Sequence, residues 1–380
     1  MTSALLRPLY LGSIVVDPPV VLAPMAGVTN APFRRLCRRY GGALYVSEMI
    51  TARALVEGNA KTARMVSFAP DETPRSLQLY GTDPAVMGEA VRRLVGEDRV
   101  DHLDLNFGCP APKVTRRGGG AAVPVRPALL RAIVRACVAA AGPEGVPVTM
   151  KFRLGVRDDL PTFLDAGRVA ADEGVAAVAL HARSAEQLYS GEARWAAIGE
   201  LKAALGGLPV LGNGDIWEAA DAVSMLAQTG CDGVVVGRGC LGRPWLFADL
   251  RAAFAGQAAP PAPALGEVVA VMVDHAGRLA EWFGEGPGLR DFRKHTGWYL
   301  TGYPVGPEAR RRLASVSSLA ELEDHVAGLD PHLRLVPGGA RLRRGHTNGP
   351  RAVHLPAGWL DARDDATPPG AAADALVSGG

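Results

Sequence analysis

Short apolar runs of strand length recur between residues 20 and 240, and most are followed by a stretch whose apolar residues return at helical spacing. The runs at 20–26, 43–49, 75–80, 102–107, 146–154, 176–182, 209–214 and 233–237 are the expected strands. The amphipathic stretches at 31–40, 83–95, 128–141, 162–173, 193–205 and 217–228 are the expected helices. This alternation predicts an α/β chain, a parallel (β/α)8 TIM barrel. A doubly wound sheet is the alternative, but it usually needs fewer strands, and no early GxGxxG supports it.

Alternation within the strands adds chemistry. Thr149, Lys151 and Arg153 share one face of the fifth strand, while Val148, Met150, Phe152 and Leu154 share the other. Ser76, Gln78 and Tyr80 alternate in the same way with Leu77 and Leu79, and Asp104 and Asn106 alternate with Leu103, Leu105 and Phe107. The apolar faces belong against helices, so the polar faces point into the barrel. Buried polar groups need partners, and their convergence on one barrel points to a bound ligand.

A last barrel helix is expected to run to about residue 255, making 1–255 the barrel domain. An Ala/Pro linker at 257–263 leads to purely helical segments near 267–283, 289–300, 308–314 and 319–329, a small C-terminal bundle over 256–335. Arg290, Arg293, Lys294, His295, Arg310, Arg311 and Arg312 give the bundle a basic surface, which solvation alone would also explain. Residues 336–380, rich in Gly, Ala, Pro, Asp and Arg, are expected to be a disordered or loosely attached tail.

Composition narrows the partners. A net charge of only +2 confines any nucleic-acid surface to a local patch, and arginine, the dominant cation, suits phosphate. Five scattered cysteines form no metal spacing and imply a reducing compartment. Pro8 and Asp17 interrupt any signal peptide, and no apolar run is long enough to span a membrane. A cytoplasmic enzyme with no metal and no membrane partner is expected; nothing sets the oligomeric state, and a monomer is compatible.

The fourth strand runs straight into a thiol, Cys109, and Pro110 stops it. Lys113, Arg116, Arg117 and the glycines Gly118, Gly119 and Gly120 then read as a flexible cationic loop for an anionic substrate. The loops after the last two strands, with Gly212, Asn213, Gly214, Asp215 and then Gly237, Arg238 and Gly239, sit where barrel enzymes bind phosphate. Pro24, Met25, Ala26, Gln78 and Lys151 suggest a flat heterocycle across the mouth, with the lysine stabilising an anionic reduced flavin. A sugar-phosphate isomerase or lyase would need much the same phosphate loops.

Over roughly residues 15–330 the chain resembles the bacterial tRNA-dihydrouridine synthases. The matching pieces are residues 23–29, 78–81, 104–110, 151–153, 181–183, 187–191, 212–215 and 237–238, with 293–295 and 297–299 in the helical part. The resemblance implies an FMN flavoprotein in which NADPH reduces the flavin, hydride passes from N5 to C6 of a tRNA uracil, and Cys109 protonates C5. It implies cofactor contacts from Lys151, His181, Asn213, Gly214, Gly237 and Arg238, beside Pro24, Met25, Ala26, Gln78 and Asp215. Asn106 is the expected uracil contact. Arg153 and Tyr189 are substrate-side, with Arg153 alternatively serving the flavin. The target base would be flipped out, with Lys113, Arg116, Arg117, Arg293 and Lys294 holding the RNA backbone. The rivals are an FMN barrel acting on a free small molecule, a flavin-free sugar-phosphate enzyme, and a non-catalytic RNA-binding protein.

Overall fold

The computed structural model describes residues 7–346 and 348–370, and in it eight parallel strands close into a barrel. They are β1 (Val20–Leu22), β2 (Leu44–Thr51), β3 (Ser76–Tyr80), β4 (His102–Phe107), β5 (Val148–Arg153), β6 (Ala177–His181), β7 (Val210–Asn213) and β8 (Gly233–Val236). Val235 of β8 lies opposite Val21 of β1, so the sheet has no open edge. The helices α1 (Ala31–Arg38), α2 (Pro84–Gly96), α3 (Pro127–Ala141), α4 (Phe163–Asp172), α5 (Ala196–Leu205), α6 (Ala219–Thr229) and α7 (Leu246–Phe254) surround it. After β2 the connection is two short helices, Ala52–Val56 and Ala60–Met65, too short to show an apolar repeat.

Local chemistry starts the helices where the pattern does. The Asn30 side chain accepts the Phe33 N–H ahead of α1, and Asp83 accepts the Ala85 and Val86 N–H groups ahead of α2. Pro32 and Pro84 sit in the first turns, where the missing N–H costs nothing. The outward strand residues Leu77, Leu79, Leu103, Leu105, Phe107, Met150 and Phe152 are buried among the helices, as alternation requires. Each such side chain contributes about 1.5–3 kcal/mol.

Inside the barrel an antiparallel hairpin, Leu9–Leu11 with Ile14–Val16, plugs the N-terminal ends of the strands. Its Leu9, Leu11 and Val16 pack with Val21, Leu44, Val46, Ala179 and Leu211. The polar strand residues occupy the layers beyond this plug.

The helical domain comprises α8 (Leu265–Phe283), α9 (Glu285–Tyr299), α10 (Pro307–Leu313) and α11 (Leu319–Ala327). It docks on α1: Arg39 meets Asp274 at 2.5 Å, and Phe33 packs against the rings of His275 and His295. His295 is therefore not part of a basic surface. It is fully buried, and burial holds its pKa well below the ordinary imidazole value.

The expected loose tail is a further correction. Residues 340–346 and 348–365 lie on the barrel: Trp359 is 4% exposed, its Nε1 donates to the Ala122 carbonyl at 2.9 Å, and Asp365 pairs with Arg126 at 3.0 Å. A composition poor in apolar residues hid a segment anchored by a few large side chains and many backbone hydrogen bonds. Residues 371–380 lie outside the described residues.

Candidate active site at the barrel mouth

A chain of hydrogen bonds crosses the barrel interior. Ser76 Oγ lies 2.7 Å from His102 Nδ1, and His102 Nε2 lies 3.0 Å from Thr149 Oγ1. Thr149 donates to Asp104 Oδ1 at 2.7 Å, which makes His102 the donor to Thr149 and Ser76 the donor to His102. The imidazole is neutral, since burial pushes its pKa down to about 3. Gln78 Nε2 donates to Asp104 Oδ2 at 2.7 Å, and Asn106 Nδ2 donates to Gln78 Oε1 at 2.8 Å. Asn106 Oδ1 then accepts the N–H groups of Gly108 and Cys109 at 3.0 and 2.9 Å. Both ends of the Asn106 amide thus hold protein groups, and the loop bearing Cys109 inherits its position from the barrel interior.

Cys109 is half-buried beside Met49, Tyr80, Val114 and Ala111. Desolvation raises its thiol pKa above the ordinary value; a backbone bond at Ala111 and the charges of Arg153 and Lys113 oppose this only in part. The group is a protonated thiol at neutral pH, suited to donating a proton and unsuited to acting as a free thiolate nucleophile. The other cysteines are buried.

Beside this loop a cleft opens at the barrel mouth. It gathers Pro24 and Met25 from the loop after β1, Lys151 from β5, His181 and Tyr189 from β6 and its loop, Asn213, Gly214 and Asp215 from β7, and Gly237 and Arg238 after β8. Loss of solvation, with Arg153 close by, brings Lys151 down to about 7, while Asp104 pulls the other way. Burial, with the positive charges of Arg153 and Lys151 adding to it, keeps His181 neutral. Arg238 is lowered to about 10 by burial and Arg183, remains charged, and stacks 4.6 Å from the Tyr189 ring centroid.

Arg183 was not singled out as a contact in the sequence, although it lies two residues after His181. It is 1% exposed, and one guanidinium nitrogen binds both oxygens of Asp215 at 2.8 and 2.7 Å. Among the described residues its buried Nη1 has no hydrogen-bond partner. A Cβ on Gly214 would stand 3.6 Å from that Nη1 and 2.6 Å from Ala193 Cβ, so only glycine keeps the space free. Asp215 also accepts the Ala193 N–H and stands 3.9 Å from Arg238. A carboxylate so placed orients two arginines and does not itself suit an anion. Trp217 and Ile216 also line the cleft; no motif in the sequence pointed to them.

Other expected residues stand apart from the cleft. Gln78 is buried in the interior network, and neither Gln78 nor Ala26 lines it. Arg153 spends its donors on the carbonyls of Gly108, Ser184 and Leu188, tying the Cys109 loop to the Tyr189 loop. Lys113, Arg116 and Arg117 are exposed, but their segment is no flexible loop. It forms the short helix Pro112–Thr115 and a 3-10 turn, Gly120–Val125, with all three glycines buried. In the helical domain Arg293 donates to the Val316 carbonyl, and Arg310 donates to those of Val305, Leu300 and Tyr303. Lys294 binds Asp291 and the Gly27 carbonyl, linking the helical domain to the loop after β1. Arg290, Arg311 and Arg312 remain exposed.

Among the described residues no group of three or more His, Cys, Asp or Glu is placed to hold a metal ion. No described helix is long and apolar enough to cross a membrane.

Residues 21–331 match the family described as dihydrouridine synthase (Dus). A probable tRNA-dihydrouridine synthase of Mycobacterium tuberculosis is 52% identical over 98% of this chain and 97% of its own. The tRNA-dihydrouridine synthase B of Xanthomonas campestris is 37% identical over 86% of this chain and 99% of its own. Among solved structures, a histamine dehydrogenase from a Rhizobium species is similar in fold, with a TM-score of 0.51 and 11% identity. That match covers 87% of this chain but only 65% of the dehydrogenase. The chain belongs to the dihydrouridine synthase family.

Proposed function

We propose that this protein is a cytoplasmic, flavin-dependent tRNA-dihydrouridine synthase that holds FMN in the cleft, takes electrons from NADPH and reduces the C5–C6 double bond of uridines in tRNA. The observation that carries this reading is the pairing of a protonated, half-buried Cys109 with a neighbouring cleft lined by Lys151 and Arg238. The names of the relatives support the same reaction.

The residues present fit FMN. The partnerless Nη1 of Arg183, the space kept by Gly214, and Arg238 suit a phosphate, and Lys151, which also lines the cleft, suits the electron-rich edge of a flat heterocycle. Bound there, FMN supplies the hydride that goes to C6 of the uracil.

The chain's own part is proton transfer, charge placement and positioning. Cys109 Sγ gives its proton to C5, which balances the added hydride, and the thiolate left behind is stabilised by Arg153 and Lys113. Lys151 favours negative charge on the heterocycle. Asn106 and Arg153 fix the Cys109 loop, and Arg153 with Tyr189 forms one wall of the approach. The uridine must leave its stack, which costs a few kcal/mol, offset by contacts to the RNA backbone from Lys113, Arg116 and Arg117. Residues 256–335 act as the tRNA-recognition domain through Arg290, Arg311 and Arg312, with Arg293 and Lys294 at the seam with the barrel.

The test is chemical. Purified protein with FMN and NADPH is incubated with tRNA made without modifications, and the digested RNA is analysed by mass spectrometry. Dihydrouridine should form with the wild type and fall sharply with Cys109→Ala. No dihydrouridine from a flavin-loaded wild type would refute the assignment.

A further inference from the structure

The chain continues beyond the part that matches the family, which ends at residue 331. The continuation crosses the mouth of the barrel along a defined path. Arg344, 2% exposed, anchors it by donating to the carbonyls of Thr301, Gly339, Ala340 and Leu342. Arg243 joins the Ala340 carbonyl to that of Trp217, which lines the cleft. Arg238 donates to the His346 carbonyl at 2.8 Å, and the Arg351 N–H donates to Glu186 at 2.8 Å, just ahead of Tyr189. The segment therefore touches the loops after β6, β7 and β8.

Its far end reaches the catalytic loop. The Trp359 ring lies over Gly118, where a Cβ would stand 2.6 Å from Cη2. The Arg126 guanidinium covers the ring at 4.0 Å and donates to the Trp359 carbonyl at 3.1 Å. Trp359 Nε1 holds the Ala122 carbonyl, and one residue earlier the Ala121 N–H donates to the Cys109 carbonyl at 3.1 Å. Two hydrogen bonds, one from the indole N–H and one between backbones, link the indole to the residue that carries the reactive thiol.

We propose that residues 339–346 and 348–365 form a brace for the active site and that Trp359 is a positioning residue for Cys109. Asn106 fixes the Cys109 N–H from the barrel interior; the brace fixes its carbonyl from outside through Trp359 and the glycine turn. Gly118 is what this requires, since a side chain there would collide with the indole, and at Gly120 a Cβ would stand 2.5 Å from the Cys109 carbonyl oxygen. The catalytic part of this inference rests on the proposed function; the positioning part does not.

The test uses flavin-loaded Trp359→Ala and Trp359→Phe. Two readouts are taken: the rate of Cys109 alkylation by iodoacetamide, selective because the other cysteines are buried, and kcat with KM for tRNA. Trp359→Ala should alkylate about tenfold faster and lose about ten- to hundredfold in kcat at little changed KM, since small misplacements of a reacting group cost that much. Trp359→Phe, which keeps a ring over Gly118 but lacks the N–H that holds the Ala122 carbonyl, should recover only part of both. Should Trp359→Ala fail to fold, Arg126→Ala, which uncovers the ring, should show the same faster alkylation. Wild-type alkylation and kcat in Trp359→Ala would overturn the brace. A wild type that makes no dihydrouridine would sink the proposed function, while the alkylation rates would still decide the brace.

Discussion

The side-chain oxygen of Asn106 accepts the backbone N–H of Cys109 at 2.9 Å, while its amide nitrogen donates to Gln78 at 2.8 Å. A residue expected to face the uracil thus serves first as the joint between the barrel interior and the reactive loop. Asn106→Ala leaves the Gly108 and Cys109 N–H groups and the Gln78 oxygen without these partners, costing about 1–3 kcal/mol for each group left buried and unpaired. The expected result is a kcat loss of about a hundredfold with FMN affinity within about twofold, measured by single-turnover kinetics and flavin titration. A variant that lost flavin affinity but kept kcat would place Asn106 with the cofactor instead.

Cys109→Ala should keep the flavin spectrum and lower the rate of uridine reduction by about 10²–10⁴-fold, the range of a lost general acid. Because burial raises the thiol pKa, the wild-type rate should show no loss of the acid form through neutral pH, and the fall should come only on the alkaline side of the ordinary thiol range. A thiolate absorbance already developed at pH 7 would contradict this.

Lys151 gives a second pH signature. In the protein without cofactor it loses its proton near 7, so the ammonium is present below that pH and disappears above it. FMN affinity, measured by fluorescence quenching, should weaken as pH rises above about 7 until the ligand-bound pKa is reached. Lys151→Met should bind more weakly and flatten the dependence in that range. An identical slope in Lys151→Met would assign it to another group.

Much of this was legible in the chain. Strand period two placed Thr149, Lys151 and Arg153 on the inner face, and all eight strands lie where the apolar runs stand. The glycine loops after β7 and β8 also line one cleft. What escaped was whatever depends on long-range partners. Arg183 reads as one more arginine until Asp215 is seen beside it, 32 positions along the chain. Arg310 reads as surface charge until the carbonyls it caps are known. Gly118 reads as flexibility, yet it is a contact surface for a tryptophan 241 residues away. Composition could not reveal the anchored tail, because Trp359 and Arg344 carry it with little apolar help.

The seam between barrel and helical domain should be acid-sensitive. His275 lies against His295 with ring centroids 4.5 Å apart, and burial pushes His275 down to about 3. An imidazole whose pKa is lower when folded contributes fully above its unfolded value near 6.5 and loses that contribution as pH falls toward 3. By pH 5 this amounts to about 2 kcal/mol for His275. Hydrogen exchange in α8 and α9 should therefore rise between pH 7 and 5, and His275→Gln should blunt the rise. Equal protection at both pH values would contradict it.

The central claim is tested most directly by mixing. Protein photoreduced without oxygen is combined with tRNA lacking dihydrouridine, and the flavin's visible absorbance is followed, with free uridine and orotate as controls. The account predicts rapid return of the oxidised flavin band with tRNA, little with either control, and slow return in Cys109→Ala. Reoxidation by orotate but not by tRNA, or purified protein with no flavin band that also fails to take up FMN, would contradict it.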